Sequence, residues 1–367
     1  MKLKLFAILF FLVFTFSRAQ EKNYSHTFSA DYLFGQIMLH RPNISHLLQG
    51  PTNGVLVSWR QNTYGFKEWE QRYNYPSFGA SFLHQYMGNS SLGEAYSLQG
   101  DYYFYFWKRK LNLRVGTGLA YMTNPFDLEN NPKNTAYGSR FLGSFLIGFN
   151  YEKNKLWNTP LGIKMGGFLV HYSNGKTKSP NTSTNNYGIQ IGLIYDLDHE
   201  NQPQFQEKNY ASKFTEPLRF NLSFSSGMND TGVIGESSRL FAVFTGYIDK
   251  RLNPKSAIQL GVEGFFTSAL RHYIRHRQSL FPNNEAIQEL DDWRRVGVFV
   301  GHELFIGKLS LITQMGYYVY YPIDYMKRYY SRVGIKRYFN DHLFLSLSLK
   351  THLARAEAME YGIGYRF

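Results

Sequence analysis

Short segments in which apolar and polar residues alternate follow one another from residue 26 to the end of the chain. The segment 110–121 places leucine, valine and tyrosine on one face, and asparagine, arginine, glycine and alanine on the other. The segment 342–350 repeats the pattern, with four leucines on one face. Successive side chains of a β-strand point to opposite faces, so each segment predicts a strand with one apolar face.

The alternating segments number about 16, which predicts an all-β chain. A strand with an apolar outer face and a small or polar inner face is typical of a transmembrane β-barrel. The 29 tyrosines, 31 phenylalanines and 32 glycines are the residue types of interfacial aromatic girdles and turns. The last seven residues, 361–367, place large apolar side chains at alternate positions and end on phenylalanine, like the insertion signal of outer-membrane proteins. We therefore predict an antiparallel, transmembrane outer-membrane β-barrel.

A polar stretch at 198–216 divides the segments into two halves of eight strands, 20–197 and 217–367. The halves resemble each other in places, since Lys110-Leu-Asn-Leu is echoed by Lys308-Leu-Ser-Leu, as after a duplication. The single C-terminal insertion signal and the growth of barrels by added hairpins favour one barrel of about 16 strands, which we expect. The polar linker favours the alternative of two tandem eight-stranded barrels.

The first 19 residues have the organisation of a secretory signal peptide, with a basic start, an apolar run from Leu5 to Phe16 and a small-x-small end. We therefore expect an exported protein of the cell outer membrane. Cysteine is absent, so stability cannot depend on disulfides. The formal net charge of +13 suits anionic lipid headgroups, and no nucleic-acid or cofactor motif accompanies it.

Loop lengths orient the barrel once its C-terminus is placed in the periplasm. Strand seven, predicted at 160–173, then ends on the external side, where the connections are the longer ones. Two periplasmic connections, 63–76 and 197–217, are long and depart from this rule. The counting therefore places the end of strand seven at the outer leaflet.

A histidine and a serine stand two residues apart at this external end. His171 and Ser173 share a strand face with Leu161 and Met165, so they point out of the barrel into lipid. Polar groups on a lipid-facing rim are costly without a use. A base beside a hydroxyl is the minimum for an activated serine, in which His171 takes the proton from Ser173 as it attacks an ester carbonyl.

Further polar residues complete the candidate site. Asn185 on strand eight shares the outward face and can approach His171 across the hairpin, so its amide would orient the imidazole. Backbone N–H groups near Asn174 and Gly175, or the Asn181 amide, would hold the oxyanion. A structural alternative stays open at this point, in which the histidine belongs to an interfacial belt and Ser-Asn-Gly forms a turn.

The string His171-Tyr-Ser-Asn-Gly, followed seven residues after the serine by Pro-Asn, resembles the signature of the PagL-type lipid A 3-O-deacylases, or acyloxyacyl hydrolases. The resemblance covers about residues 26–197. It implies an eight-stranded outer-membrane barrel with an outward-facing site. It also implies that His171 is the base and Ser173 the nucleophile, with Asn174 and Asn181 near the oxyanion.

The chain departs from this family at the third catalytic position, where the family's glutamate falls on Asn185. An amide can still accept a hydrogen bond from the imidazole, but it stabilises the imidazolium less than a carboxylate does. The outer-membrane phospholipases are similar to this arrangement in using a Ser-His-Asn set. The substitution at position 185 therefore keeps a phospholipase as an alternative.

The second half does not repeat the site. The residue two after His352 is Ala354, so no nucleophile is present, and strand parity turns His352 inward. Its neighbours Arg355, Glu357 and Glu360 have the character of salt-bridge residues in the barrel interior or at its rim.

We expect an outer-membrane serine esterase that removes an ester-linked acyl chain from lipid A, with lipopolysaccharide or phospholipid as partner and no cofactor. One alternative is an outer-membrane phospholipase, which differs only in substrate. The other is a non-enzymatic porin or surface-binding barrel, in which the His171 to Gly175 string is structural.

Overall fold

The computed structural model describes residues 23–210, 214–232, 237–353 and 355–367, and the expected signal peptide, residues 1–19, lies outside them. In the described ranges the chain forms sixteen antiparallel strands in two closed sheets of eight. The first sheet contains β1 Tyr24–Ile37, β2 Thr52–Thr63, β3 Ser77–Tyr86, β4 Glu94–Phe106, β5 Leu111–Met122, β6 Phe141–Lys153, β7 Leu161–Ser173 and β8 Thr184–Asp196. The second contains β9 Arg219–Asn229, β10 Arg239–Asn253, β11 Ser256–Thr267, β12 Arg294–Ile306, β13 Leu309–Tyr320, β14 Tyr329–Tyr338, β15 Leu343–His352 and β16 Arg355–Arg366.

Each half closes on itself, so the chain forms two tandem barrels. Strand β1 pairs with β8, with Tyr32 opposite Ile191, and β9 pairs with β16, with Phe224 opposite Ile363. The prediction of sixteen strands in two halves is confirmed, but the expectation of one large barrel is wrong. The described part of the segment between β8 and β9 forms no strand, so nothing continues the first sheet into the second.

Short helices lie in the connections between strands. They are the α-helices Glu68–Arg72, Ser268–Leu280 and Glu285–Gln288 and the 3-10 helices Pro42–Leu47 and Leu156–Asn158. In the second barrel the helix Ser268–Leu280 packs Leu270 and Ile274 against Ile323 beyond the external strand ends. Within the described ranges, no helix combines the length and the apolar character needed to cross a bilayer.

Charged side chains are paired inside both barrels. In the first barrel the pairs are Arg60–Glu152 (2.7 Å), Arg114–Asp101 (2.9 Å) and Lys164–Asp31 (2.7 Å). In the second they include Arg332–Glu263 (2.7 Å), Arg332–Glu360 (2.6 Å), Lys336–Glu303 (2.8 Å) and Lys350–Glu357 (3.0 Å). A buried charge is costly unless it is paired, so these contacts let polar side chains fill each lumen.

The inward direction predicted for His352 is confirmed. Its Nε2 lies 2.7 Å from a carboxylate oxygen of Glu357, inside the second barrel, and Glu360 pairs with Arg332. Arg355 behaves differently, because its side chain is exposed and forms no salt bridge with a described carboxylate. The expectation of an interior or rim ion pair is therefore wrong for Arg355.

A β-bulge lies next to Arg355 in β16. Lys350 pairs with Ala358, but the next residue, Thr351, pairs with Ala356, so β16 carries one extra residue at this point. An extra residue shifts the alternation of side chains along a strand. The shift makes Arg355 the partner of the inward-facing His352, and its side chain is exposed at the external end of β16.

The two long connections predicted to lie on the periplasmic side, 63–76 and 197–217, contact each other, and the first also contacts the second barrel. The Tyr73 hydroxyl donates to the carbonyl of Phe305 in the second barrel, at 2.6 Å. In the linker, the Gln206 amide donates to the Tyr64 carbonyl at 2.8 Å, and the Gln206 carbonyl accepts from the Tyr75 hydroxyl at 2.7 Å. These contacts account for connections that are longer than a simple turn requires.

Barrel closure can be tested by a disulfide, because the natural sequence has no cysteine. Tyr32 and Ile191 lie opposite each other across the β1–β8 ladder, and both side chains are exposed. Opposed residues of antiparallel strands have Cα atoms about 5 Å apart, within disulfide range. We expect Tyr32→Cys with Ile191→Cys to form an intrachain disulfide on oxidation, seen as a gel-mobility shift that reductant reverses.

The matched control is Tyr32→Cys with Ile363→Cys, which joins β1 to the last strand of the second barrel. These strands belong to different sheets, so no intrachain disulfide is expected. A disulfide in the control pair, and none in the first pair, would show that β1 closes against β16.

Candidate active site

The β7–β8 hairpin carries the candidate residues at its external end. Val170 and Tyr172 are fully buried inside the first barrel, so His171 and Ser173 between and beyond them point to its outer surface. The register places Asn185 directly opposite His171. The hairpin therefore gathers three polar side chains on one outward face, as strand parity predicts.

Asn185 holds the imidazole by a short hydrogen bond. Its Oδ1 lies 2.7 Å from Nδ1 of His171. An amide oxygen only accepts, so Nδ1 carries the proton and donates it to Asn185. Nε2 of the neutral imidazole is therefore unprotonated. A general base that acts through Nε2 requires this tautomer.

Two N–H donors converge on the Ser173 hydroxyl. The backbone amide of Gly175 donates to Ser173 Oγ at 3.2 Å, and Nδ2 of Asn181 donates to it at 3.1 Å. The Asn181 side chain is itself held, because its Oδ1 accepts from the backbone amide of Asn174 at 3.2 Å. Donors placed beside a nucleophilic oxygen are well situated for the oxyanion that forms next to it.

Asn174 is buried and holds the turn together. Its Nδ2 donates to Ser139 Oγ at 3.2 Å and to the Lys178 carbonyl at 2.7 Å. Its Oδ1 accepts from the Lys176 amide at 3.0 Å. These contacts fix the loop that carries Gly175 and Asn181, while a direct role of Asn174 at the oxyanion stays a prediction.

Gly175 is required by both its backbone and its surroundings. Its φ of 61° lies in the left-handed region, which strongly favours glycine. A Cβ at this position would lie 2.3 Å from Cγ of Met359, on β16 of the second barrel. The turn after Ser173 therefore lies directly against the second barrel.

His171 and Ser173 share the outer face, but no hydrogen bond joins their side chains within the ranges that the structure describes. In the described part of the chain, the hydrogen bonds of Ser173 Oγ go to Asn181 and Gly175, and that of His171 goes to Asn185. Catalytic hydrogen bonds often tighten only when substrate is bound. The structure therefore places the two side chains on one face and fixes the tautomer of His171, without a direct contact between them.

A cleft of about 300 Å³ opens beside the pair, between the two barrels. The first barrel contributes His171, Ser173 and the loop that follows them. The second barrel contributes the opposite wall, formed by Leu349, Thr351, Arg355 and Ala356. The sequence predicts that the pair faces open lipid, whereas in the structure a second protein surface faces it.

Lys176 connects the loop of the site to the second barrel. Its Nζ donates to the Tyr325 hydroxyl and lies 4.7 Å from the centre of the Tyr325 ring. Its carbonyl accepts from the Asp230 amide at 3.2 Å, and Ser179 Oγ donates to Asp230 Oδ1 at 3.2 Å. Burial, and then the charge of Arg355, lowers the pKa of Lys176 to about 8.

The sequence analysis does not place three basic residues of the cleft, Arg41, Lys176 and Arg355, at the site. Lys176 directly follows the motif, and that position was a usable signal. Arg41 and Arg355 are distant in sequence from the motif and carry no local signal of their own. Their proximity depends on a loop of the first barrel and on the placement of the second barrel.

The histidines of the neighbouring external loops bind backbone carbonyls. Nε2 of His40 lies 3.1 Å from the Thr182 carbonyl oxygen, and Nε2 of His46 lies 2.7 Å from that of Lys133. Among the described residues, no three histidine, cysteine or carboxylate side chains are grouped as metal ligands would be.

Two protein families match most of the chain between them. Residues 53–193 match the family described as lipid A 3-O-deacylase (PagL), and this range contains the whole candidate site. Residues 218–367 match the family described as acyloxyacyl hydrolase, C-terminal domain. The two matches correspond to the two barrels.

The chain is also similar to solved porin structures, but only weakly. A mutant porin from Rh. blastica is 10% identical, with 94% of this chain and 100% of the porin covered and a TM-score of 0.20. A triple mutant of the Rhodopseudomonas blastica porin is 9% identical at the same coverage, with a TM-score of 0.17. Scores this low establish no structural equivalence. No curated protein matches the chain significantly.

The pKa of Lys176 predicts a pH-dependent stability. The folded protein releases this proton at about pH 8, whereas the unfolded chain holds it to about 10.5, so between these values the unfolded state binds more protons. Stability relative to Lys176→Met should therefore rise between pH 8 and pH 10, by up to about 3 kcal/mol. Thermal unfolding midpoints in detergent micelles measure the difference.

The matched control is Lys178→Met, which removes an exposed lysine of the same loop. Its stability difference from the unmodified protein should stay constant with pH. If the Lys176→Met difference were equally constant, Lys176 would titrate alike in the folded and unfolded states.

Proposed function

The chain belongs to the PagL family of lipid A 3-O-deacylases, which are ester hydrolases, and we propose that it is an outer-membrane serine esterase acting on lipid A. The observation that carries the proposal is the β7–β8 hairpin, which brings a histidine, a serine and an asparagine together on an outward face. That face lies on the outside of the first barrel, where it borders the cleft between the barrels and not the lumen, so an acylated membrane lipid is the natural substrate.

In the proposed reaction, Ser173 Oγ attacks the ester carbonyl while Nε2 of His171 accepts the serine proton. Asn185 holds the imidazole tautomer, and N–H groups of Gly175 and Asn181 bind the oxyanion. The imidazolium then protonates the departing sugar alkoxide, which leaves an acyl group on Ser173. Water, deprotonated by His171, cleaves this acyl ester and releases the fatty acid.

The apolar surroundings suit a substrate with acyl chains. Beyond the site, β7 presents Ile163 and Met165, and β8 presents Ile189, Ile191 and Leu193, all exposed on the outer surface. This surface would be in contact with acyl chains in the membrane. A lipid could therefore place its chains along the hairpin and its ester at Ser173, near the external end.

The porin alternative is less well supported than the esterase. Ion pairs such as Arg114–Asp101 and Arg332–Glu263 lie buried inside the two barrels. Eight-stranded barrels have interiors just wide enough for side chains to fill. Conduction through either lumen would require these pairs to separate.

A phospholipase is the second candidate function, and Asn185 is the observation that favours it. The residue that contacts His171 Nδ1 is an amide, as in the Ser-His-Asn arrangement of the outer-membrane phospholipases. The same attack by Ser173 would then act on a glycerol ester. The two functions differ only in the lipid that enters the cleft.

The first test replaces the proposed nucleophile. Ser173→Ala removes the only oxygen that forms the acyl intermediate, so deacylation should fall by at least about a thousandfold. Mass spectrometry of lipid A from cells producing either protein measures the loss of one acyl chain. Purified protein is assayed with lipid A and with phospholipid in mixed micelles to identify the substrate.

The matched control is Ser90→Ala, in an exposed external turn of the same barrel, which should deacylate normally. Correct folding of each variant is checked by its resistance to unfolding in detergent. Normal deacylation of lipid A by folded Ser173→Ala protein would refute the proposed nucleophile.

Substitutions of Asn185 offer a second test, because one should raise the deacylation rate and another should lower it. A carboxylate stabilises the imidazolium more than an amide does, so Asn185→Asp should raise kcat about tenfold, and Asn185→Ala should lower it by about the same factor. Initial deacylation rates measure both effects. Asn201→Asp in the exposed linker is the control, and unchanged rates in both Asn185 variants would assign the orienting role to another residue.

A further inference from the structure

Three basic side chains line the cleft beside the proposed catalytic pair. Arg41 precedes the 3-10 helix in the first external loop, Lys176 follows the motif, and Arg355 begins the last strand of the second barrel. They come from three separate parts of the chain. Because all three side chains line the cleft, positive charge is concentrated beside His171 and Ser173.

The two arginines of this group are not neutralised by the protein. Both side chains are exposed, and neither forms a salt bridge with a carboxylate in the described ranges. The nearest acidic residue in sequence to Arg355 is Glu357, which is turned into the lumen, where it pairs with Lys350 at 3.0 Å. An exposed guanidinium beside a cleft, with no carboxylate partner, is available to an anionic ligand.

An acidic residue near Lys176, Asp230, is held at one carboxylate oxygen by neutral donors. Asp230 Oδ1 accepts from Ser179 Oγ at 3.2 Å and from the Gly232 amide at 2.9 Å. Lys176 itself donates to Tyr325, a neutral partner. The cleft therefore combines free cationic groups with an apolar wall, represented by Leu349.

We propose that Arg355 and Arg41, supported by Lys176, form a phosphate-binding subsite that recognises the charged headgroup of the lipid cleaved at Ser173. The proposal rests on the esterase function proposed above. A guanidinium binds phosphate oxygens through two parallel N–H···O bonds, which gives direction as well as strength. The shared chemistry is a phosphate group close to an acyl ester, which both lipid A and phospholipids possess.

The second barrel acquires a defined role by this assignment. It has no serine two residues after its inward histidine, and instead it supplies Arg355 from the external end of β16. Leu349 and Ala356 beside Arg355 would face the acyl part of the lipid. The first barrel would perform the chemistry, and the second would select the headgroup.

The experiment measures binding in a protein that cannot turn over. Ser173→Ala protein is titrated with phosphorylated lipid A, with the same lipid A after removal of its phosphates, and with phosphatidylglycerol, each in neutral detergent micelles. The titrations are repeated after adding Arg355→Gln, Arg41→Gln or the control Arg275→Gln, an exposed arginine of an external helix outside the cleft.

We expect Arg355→Gln and Arg41→Gln each to weaken binding of phosphorylated lipid A about tenfold, with no change for the dephosphorylated lipid or for Arg275→Gln. A similar loss with phosphatidylglycerol would identify phosphate in general as the ligand, and no loss there would restrict the subsite to lipid A. Equal weakening with and without phosphate, or no weakening, would overturn the proposal.

The outcomes separate this subsite from the esterase itself. Phosphate-dependent binding through Arg355 would support the subsite even if unmodified protein hydrolysed neither lipid. Hydrolysis that is normal in the protein with Ser173 intact, together with unchanged binding in Arg355→Gln, would leave the esterase standing and refute the subsite. Resistance to unfolding in detergent verifies that each variant is folded.

Discussion

Hydrogen bonding between the first and last strand of each half is the constraint on which the rest of the structure depends. Unpaired backbone groups at the edge of a sheet are very costly in hydrocarbon, so a membrane-spanning sheet has to close. The β1–β8 and β9–β16 ladders provide this closure. Once a barrel is closed, every strand has an inner and an outer face, and this is why His171 and Ser173 lie outside the first barrel.

Closure into two barrels also creates a surface that one barrel would not have. The external contacts of Lys176 with Tyr325, and the periplasmic contact of Tyr73 with Phe305, join the barrels near both ends. Beside the contact of Lys176, the external end of β7 lies across a cleft from residues of β15 and β16. His171 and Ser173, which would otherwise face lipid alone, therefore become part of a cleft. Residues of both barrels can then contribute to substrate selection.

Much of the candidate site could be predicted from local patterns. The two-residue period predicts that His171 and Ser173 share a face, and the hairpin predicts that Asn185 lies across from His171, as the 2.7 Å contact shows. Loop lengths predict that these residues lie at the external end of the barrel. The convergence of Gly175 and Asn181 on the serine oxygen depends on the hydrogen bonds of Asn174 and could only be proposed as alternatives.

The sequence by itself determined the strands, their inner and outer faces and the motif that carries the chemistry, because side-chain alternation and hairpin pairing are local properties. Only the tertiary structure decided that the sixteen strands close as two barrels, and that Arg41 and Arg355 reach the cleft. Closure depends on pairing between strands far apart in the chain. The proximity of Arg41 and Arg355 to Ser173 depends on a loop of the first barrel and on the placement of the second barrel beside it, which no local pattern encodes.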